Sequence, residues 1–319
     1  MATQVVAAPK TLRGPIQAGD IVARLLTMVF AATILVVVML LVWELWLGSA
    51  AARHALGWKF LVRSQWNPVT DEFGALPFIY GTVVTSVLAL LISVPLGLGA
   101  AIFLSELAPA GISNALTFLV ELLAAIPSVI YGLMAIYTIV PIVRSYVSPF
   151  LKATLGFLPQ FQGPAYGVSY LAAGMILAVM TFPFIISVSR ESLLAVPREQ
   201  REASLALGAT RWETTWKVVV PYAKLGILGS IFLALARALG ETMAVTMVIG
   251  NSPNLHASLL APGHTIAAVI AGEFSEATGR IYPATLVLLG LVLFGLTIII
   301  NGLARLMIIA TTGKGTKRS

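Results

Sequence analysis

The 319 residues include no cysteine, which excludes a disulfide framework and a thiolate metal site. Histidine is nearly as scarce: His54, His256 and His264 are scattered without ligand-type spacing, so a metal site is not expected. Charge is sparse too. Only 10% of residues are Asp, Glu, Lys or Arg against 58% hydrophobic, and the mean hydropathy of +0.94 lies outside the range of soluble domains. An ATP-binding loop is also missing. Thr312-Gly313-Lys314-Gly315-Thr316 resembles one faintly, but it lacks the first glycine of that pattern and follows no strand. These absences leave an integral membrane protein.

Crossing about 30 Å of hydrocarbon takes roughly 20 apolar residues per helix. Runs near 24–47, 78–104, 116–143, 170–190, 224–250 and 283–309 meet that length, so the expected fold is all-α with about six transmembrane helices. Ser49-Ala50-Ala51-Ala52 resembles a signal-peptide cleavage site. The apolar run before it exceeds the usual h-region of about 7–15 residues, so an uncleaved anchor is expected. Pro95, Pro127 and Pro183 interrupt successive spans and are expected to bend them. The expected layout is an inner tail 1–23, a membrane domain 24–310 with a polar loop 191–223, and a tail 311–319.

Orientation follows the Lys and Arg residues. With the N-terminus inside, thirteen of the 20 fall on inner segments, among them Lys10, Arg13, Arg190, Arg201, Arg305 and Lys314. Six fall outside (Arg53, Lys59, Arg63, Arg144, Lys152 and Arg280), which leaves Arg237 inside a span. Both termini and the loop 191–223 are therefore expected on the cytoplasmic side. Trp43, Trp46 and Trp58 fit an aromatic belt at the outer end of the first span, near Glu44.

That loop is the most polar long segment of the chain. Pro197 sits at a first helical position, and residues 198–207 are mostly good helix formers. Gly208 is placed as the left-handed residue past a helix end. Thr210-Arg211-Trp212-Glu213 fits a capping box, so a second helix is expected there, and Pro221 is expected to stop it. A helix, a bend and a helix make a rigid knob. A DNA-binding helix-turn-helix has a similar outline, but spans flank this one closely on both sides, so no nucleic acid is expected.

Polar residues inside the spans are the other signal. Thr82, Thr85 and Ser86 place hydroxyls on one helical face, which either packs and back-bonds or lines a solute path. Glu121 lies near an inner helix end, where structural anchoring is the safer reading. Arg237 and Glu241 stand at i, i+4, close enough to pair on one helical face. Arg237 lies thirteen residues beyond Lys224, roughly 20 Å along a helix and deep in the bilayer. An unpaired charge there costs several kcal/mol. The residues either neutralise each other and fix packing, or Arg237 offers its forked donors to an oxyanion while Glu241 holds it at rest. Thr242 and Thr246 continue the polar groups. The outer segments 144–169 and 251–282 suit docking of an external partner, and the second is long enough for a short capping helix.

Glu202-Ala203-Ser204, then Gly208, nine residues, and Val218-Val219-Val220-Pro221 resemble the EAA loop of ABC-importer permeases, whose pattern is Glu-Ala-Ala…Gly…Ile-x-Leu-Pro. Ser204, Val218 and Val220 depart from that pattern by small changes in bulk and leave the Gly and Pro offsets intact. Phe73-Gly-Ala-Leu-Pro-Phe-Ile-Tyr-Gly-Thr82, Glu121-Leu-Leu-Ala-Ala-Ile-Pro-Ser-Val-Ile-Tyr-Gly132 and Arg237-Ala-Leu-Gly-Glu-Thr-Met-Ala-Val-Thr246 extend the likeness. Together they resemble the phosphate-specific permeases of the PstC type over most of residues 66–305.

The resemblance implies a type I importer permease fold in the plasma (inner) membrane of a prokaryote. It implies a non-catalytic subunit translocating inorganic phosphate, paired with a second, PstA-like permease. Two PstB-like ATPase subunits would bind the ATP and Mg, so this chain needs no cofactor, and an extracytoplasmic PstS-like protein would deliver phosphate. Glu202, Ala203, Ser204, Leu207, Gly208, Thr210, Arg211, Glu213 and Pro221 would couple to the ATPase. Arg237, Glu241, Thr242, Thr82, Thr85 and Ser86 would line the path. The rival readings are a permease for molybdate or sulfate, an ion-coupled secondary transporter with Glu241 as its ion site, and a purely structural membrane subunit.

Overall fold

A computed structural model of the chain describes residues 18–312, with side-chain surroundings for 19–306. The basic tail residues Lys10 and Arg13, and the tail 313–319 with Lys314, Lys317 and Arg318, lie outside the described residues.

Among the described residues are fourteen α-helices: α1 Ala18–Gly48, α2 Ala50–Leu56, α3 Leu76–Ile102, α4 Ala110–Ala125, α5 Ser128–Tyr137, α6 Ile139–Ile142, α7 Ser148–Leu155, α8 Tyr170–Leu194, α9 Arg198–Ala206, α10 Arg211–Thr214, α11 Val220–Gly240, α12 Met243–Ile249, α13 Ile266–Glu273 and α14 Ile281–Thr312. Among these residues β pairing is limited to one isolated bridge, Asn67 with Glu72. Six stretches are long and apolar enough to cross a membrane: Gly19–Gly48, Leu76–Leu107, Ser128–Leu155, Tyr170–Leu194, Arg211–Gly240 and Ile281–Leu306.

The chain divides into two units between Leu47 and Gly48. The first holds α1, none of whose most apolar stretch is buried. A helix that is apolar on all sides needs lipid or another chain around it. In the second unit, two thirds of the apolar stretch of α8 is buried, and α3, α11 and α12 pack on it. Small residues let the backbones approach. A Cβ on Gly97 would lie 2.8 Å from Ile185, and one on Gly174 would lie 2.6 Å from Leu88.

Two spans start or end elsewhere than the apolar runs suggest. The third crosses over 128–155 rather than 116–143, because Pro127 breaks the chain instead of bending it. Ile126 and Pro127 are extended (ψ 129° and 142°), since a residue before proline avoids the α region. The Tyr131 hydroxyl then donates to the Leu123 carbonyl at 2.7 Å, satisfying one of the acceptors that the end of α4 leaves open. Pro95 and Pro183 instead remain inside α3 and α8. The fifth span starts at Arg211 and ends at Gly240, with α12 as a separate short helix.

Pro221 does not stop the knob's second helix. A π-turn over Thr215–Val219 precedes it, in which the Val220 N–H donates to the Thr215 carbonyl, and α11 runs straight on. Shifting the ladder by one residue accommodates a ring that would clash with the i−4 carbonyl.

Candidate functional site

The knob is built by local chemistry. Pro197 precedes α9 as its cap (ψ 141°), one position before the first helical residue. Gly208 has φ 87°, and a Cβ there would meet nothing within 4 Å. Its requirement is backbone conformation alone. Thr210 Oγ1 accepts the Glu213 N–H at 3.2 Å while Glu213 Oε2 accepts the Thr210 N–H at 3.0 Å, a reciprocal capping box. The Ser204 and Thr214 hydroxyls meet at 3.0 Å and close the elbow between α9 and α10. Glu202, Ala203, Leu205 and Arg211 are exposed, and Leu207 is 90% exposed.

One contact that holds the knob escapes the sequence. Arg201 makes a forked ion pair with Glu106, Nη2 to Oε1 at 2.9 Å and Nε to Oε2 at 3.2 Å. Its Nη2 also donates to the Leu193 carbonyl at 2.7 Å, and Nη1 donates to that of Val196. The Leu193 carbonyl lies in the last turn of α8 and that of Val196 two residues past its end, where a cation complements the helix dipole. Arg201 thus ties the knob both to the end of α8 and to the π-turn Phe103–Leu107 that finishes the second span. Beside it lies a cleft of about 440 Å³ lined by Ser105, Glu106, Arg198, Arg201, Glu202 and Arg211. Only the ninety-five-residue separation hid the pair.

Deeper in the membrane domain, the expected Arg237–Glu241 pair is not formed. It presupposes an unbroken helix, whereas α11 ends at Gly240 and Glu241 is extended, with ψ 130°. Glu241 Oε1 instead accepts the Ala244 N–H of α12 at 3.4 Å. The ion pairs among the described residues join Glu106 to Arg201 and Glu213 to Lys217, and Arg237 enters neither. Its Cζ stands 4.7 Å from the centroid of the Phe184 ring, and its Nε is buried without a hydrogen-bond partner. Next in the chain, Thr242 is partly exposed and α12 packs against α5, where Gly132 meets Ala244 and Met247.

Thr82, Thr85 and Ser86 are at most 2% exposed, and their hydroxyls are spent inside α3. They donate to the carbonyls of Phe78, Gly81 and Thr82 at 2.7, 2.8 and 2.7 Å. Thr82 Oγ1 also accepts the Ile266 N–H at 3.0 Å. Thr82 thereby ties this face of α3 to the start of α13. Back-bonding follows from burial: a buried hydroxyl without water takes the nearest i−4 carbonyl. Glu121, by contrast, is exposed on α4.

The segment before α13 runs hard against α3 and α8. A Cβ on Gly81 would lie 2.0 Å from the His264 carbonyl oxygen, and one on Gly263 would lie 2.0 Å from Tyr170 Cζ. His264 is 4% exposed, its Nδ1 accepts the Thr265 N–H at 3.2 Å, and burial lowers its pKa to about 4. At the end of α13, Glu273 Oε2 accepts from Trp66 Nε1 at 3.0 Å and from the Tyr282 hydroxyl at 2.6 Å. The segments 144–169 and 251–282 are stitched together as well. The Leu259 N–H donates to the Gln160 carbonyl at 2.8 Å and Ser258 Oγ donates to that of Gln162 at 2.6 Å. A cleft of about 580 Å³ with Tyr166, His256 and Pro262 on its walls opens beside them.

Residues 93–308 match the family described as the binding-protein-dependent transport system inner membrane component. The chain is 47% identical over 284 residues to a phosphate transport system permease protein PstC of Mesorhizobium japonicum, covering 87% of each chain. It is 46% identical over 294 residues to the protein of the same description in Xylella fastidiosa, covering 91% of this chain and 90% of that one. Among solved structures, an inward-facing conformation of the MetNI methionine ABC transporter aligns with a TM-score of 0.53 at 18% identity, over 77% of this chain and 99% of that chain. That last likeness concerns the fold.

Proposed function

The chain belongs to the family of inner membrane components of binding-protein-dependent transport systems, and from that premise we propose that it is the membrane-spanning permease subunit of an ATP-driven importer of inorganic phosphate. One observation carries the choice of an anion. Arg237 stands roughly 20 Å along the helix from Lys224, paired with no carboxylate among the described residues and with one buried donor unmet. A guanidinium in that setting gains most from a ligand that brings oxygen lone pairs and negative charge. Near-full-length likeness to relatives described as phosphate transport permeases narrows the anion to phosphate.

In this reading Arg237 receives the oxyanion. Glu241 and Thr242, at the break between α11 and α12, border the route. Thr82, Thr85 and Ser86 hold α3 and α13 in register rather than touching the solute. Glu202, Ala203, Ser204, Leu207, Gly208, Thr210, Arg211, Glu213 and Pro221 make the docking knob. A separate ATPase pair carries ATP and Mg and pushes on it, while this chain hydrolyses nothing. A second, PstA-like permease completes the conduit and a PstS-like binding protein feeds it from outside. The excess of Lys and Arg on the inner segments supports cytoplasmic termini and a cytoplasmic knob.

Arg237→Gln is expected to abolish phosphate uptake, by a hundredfold or more on the order of a lost buried charge contact, while the subunits still co-purify. Wild-type uptake of labelled phosphate by that variant in proteoliposomes would take Arg237 off the route.

A further inference from the structure

A guanidinium has two kinds of surface. Its flat faces are weakly hydrated and suit an aromatic ring, whereas its five N–H donors point outward from the edge. A carboxylate partner takes the edge, so an incoming oxyanion would have to displace it. A ring takes the face and leaves the donors open.

Arg237 stands over a ring and not beside a carboxylate. Its Cζ lies 4.7 Å from the Phe184 ring centroid, and no carboxylate among the described residues pairs with it. Glu241, the acid nearest in sequence, is engaged with the Ala244 N–H at the start of α12. The Nε donor is buried and has no acceptor. Phe184 belongs to α8, the most buried of the spans.

We propose that Phe184 is the positioning residue of the anion site, a platform that holds Arg237 through its ring and leaves the charge of the guanidinium uncancelled for phosphate. The proposal rests on the reading of Arg237 as the oxyanion receptor. It assigns the acid a different task from the one expected of it. Glu241 does not hold the arginine at rest; an uncharged ring does. The attraction comes from the quadrupole of the ring, so it fixes the cation without cancelling its charge.

The test is to replace Phe184 in the assembled transporter with mono-, di- and trifluorinated phenylalanine, which keep the ring's size while draining its negative face. Phe184→Leu serves as the ring-free variant. Uptake of inorganic phosphate into proteoliposomes is measured across concentrations. The expected result is a KM that climbs with each fluorine to roughly threefold to thirtyfold, the range spanned by cation–π contacts, and a similar KM for Phe184→Leu. The maximal rate should stay within about twofold of wild type throughout. A flat KM across the fluorinated series overturns the platform, even if Phe184→Leu alone is impaired, because the ring would then be a space-filler. The control is Arg237→Gln. Lost uptake there with a flat fluorine series removes Phe184 only, whereas normal uptake there removes the receptor reading itself.

Discussion

Two arginines of this chain sit in opposite circumstances, and the regions around them differ accordingly. Arg201, at the root of the knob, has four of its five donors engaged, by a forked carboxylate and by the carbonyls of Leu193 and Val196. Arg237, in the fifth span, has a ring beside it and a buried donor with no acceptor. A guanidinium with a carboxylate across its fork and nearly all its donors engaged serves as a joint. One with donors unspent, kept in an apolar bundle at a cost of several kcal/mol, is intelligible as a receptor. On the proposed reading, the knob's root would transmit displacement without changing shape, and the mid-span would change partners.

The contrast sharpens if each side is broken separately. Arg201→Met should cost stability and coupling rather than phosphate affinity. It leaves Glu106, whose side chain is only 11% exposed, without its counter-charge. Breaking a fully buried pair costs about 3–5 kcal/mol, and partial exposure puts this one near the low end, about 3 kcal/mol. Thermal unfolding of the purified complex should fall, with ATP hydrolysis proceeding without matching uptake. Adding Glu106→Gln should recover part of the loss. A variant that raised the KM for phosphate and left stability untouched would erase the distinction between the two arginines.

His264 provides an intermediate case, a buried ring kept neutral. Its pKa of about 4 in the folded chain lies below the ordinary value near 6.5. The unfolded chain therefore takes up the proton first as the pH falls. The contribution is fully present above pH 6.5 and is lost progressively toward pH 4. Between pH 7 and pH 5 the loss should be about 2 kcal/mol. His264→Gln should flatten that part of the profile in thermal unfolding. An unchanged slope would show that protonation of His264 does not weaken the packing of the 260–265 segment against α3.

What could be read ahead of the structure follows the range of the forces involved. The six apolar stretches and the elbow at Gly208 and Thr210 depend on neighbours within four residues, so spacing alone reveals them. The Arg237–Glu241 pair failed for the converse reason: i, i+4 means one face only while the helix continues, and it stops at Gly240. Proline behaved unevenly because its local penalty is the same everywhere while tertiary packing decides whether to accept it. Pro95 and Pro183 are carried inside helices, Pro127 opens a break that Tyr131 bridges, and Pro221 is absorbed by a π-turn. The Arg201–Glu106 joint and the Thr82–Ile266 contact span 95 and 184 residues, and no periodicity in a single chain points to either.

The smallest effect tests whether the knob is rigid of itself or only by virtue of its root. Thr210→Ala removes the acceptor of the Glu213 N–H and one side of the reciprocal cap. Caps of this kind are worth about 1 kcal/mol, less than the Arg201 joint. The Glu213–Lys217 pair beside it is exposed on both sides, with side chains 42% and 73% accessible, and adds little that could compensate. Hydrogen exchange should therefore quicken at the amides of Glu213 and Thr214 by roughly fivefold, matching that cost. Exchange at the end of α8, held by Arg201, should not change. If protection were lost in both places together, the elbow and its anchor would be one cooperative unit, and the joint would owe its stiffness to the cap as much as to the arginine.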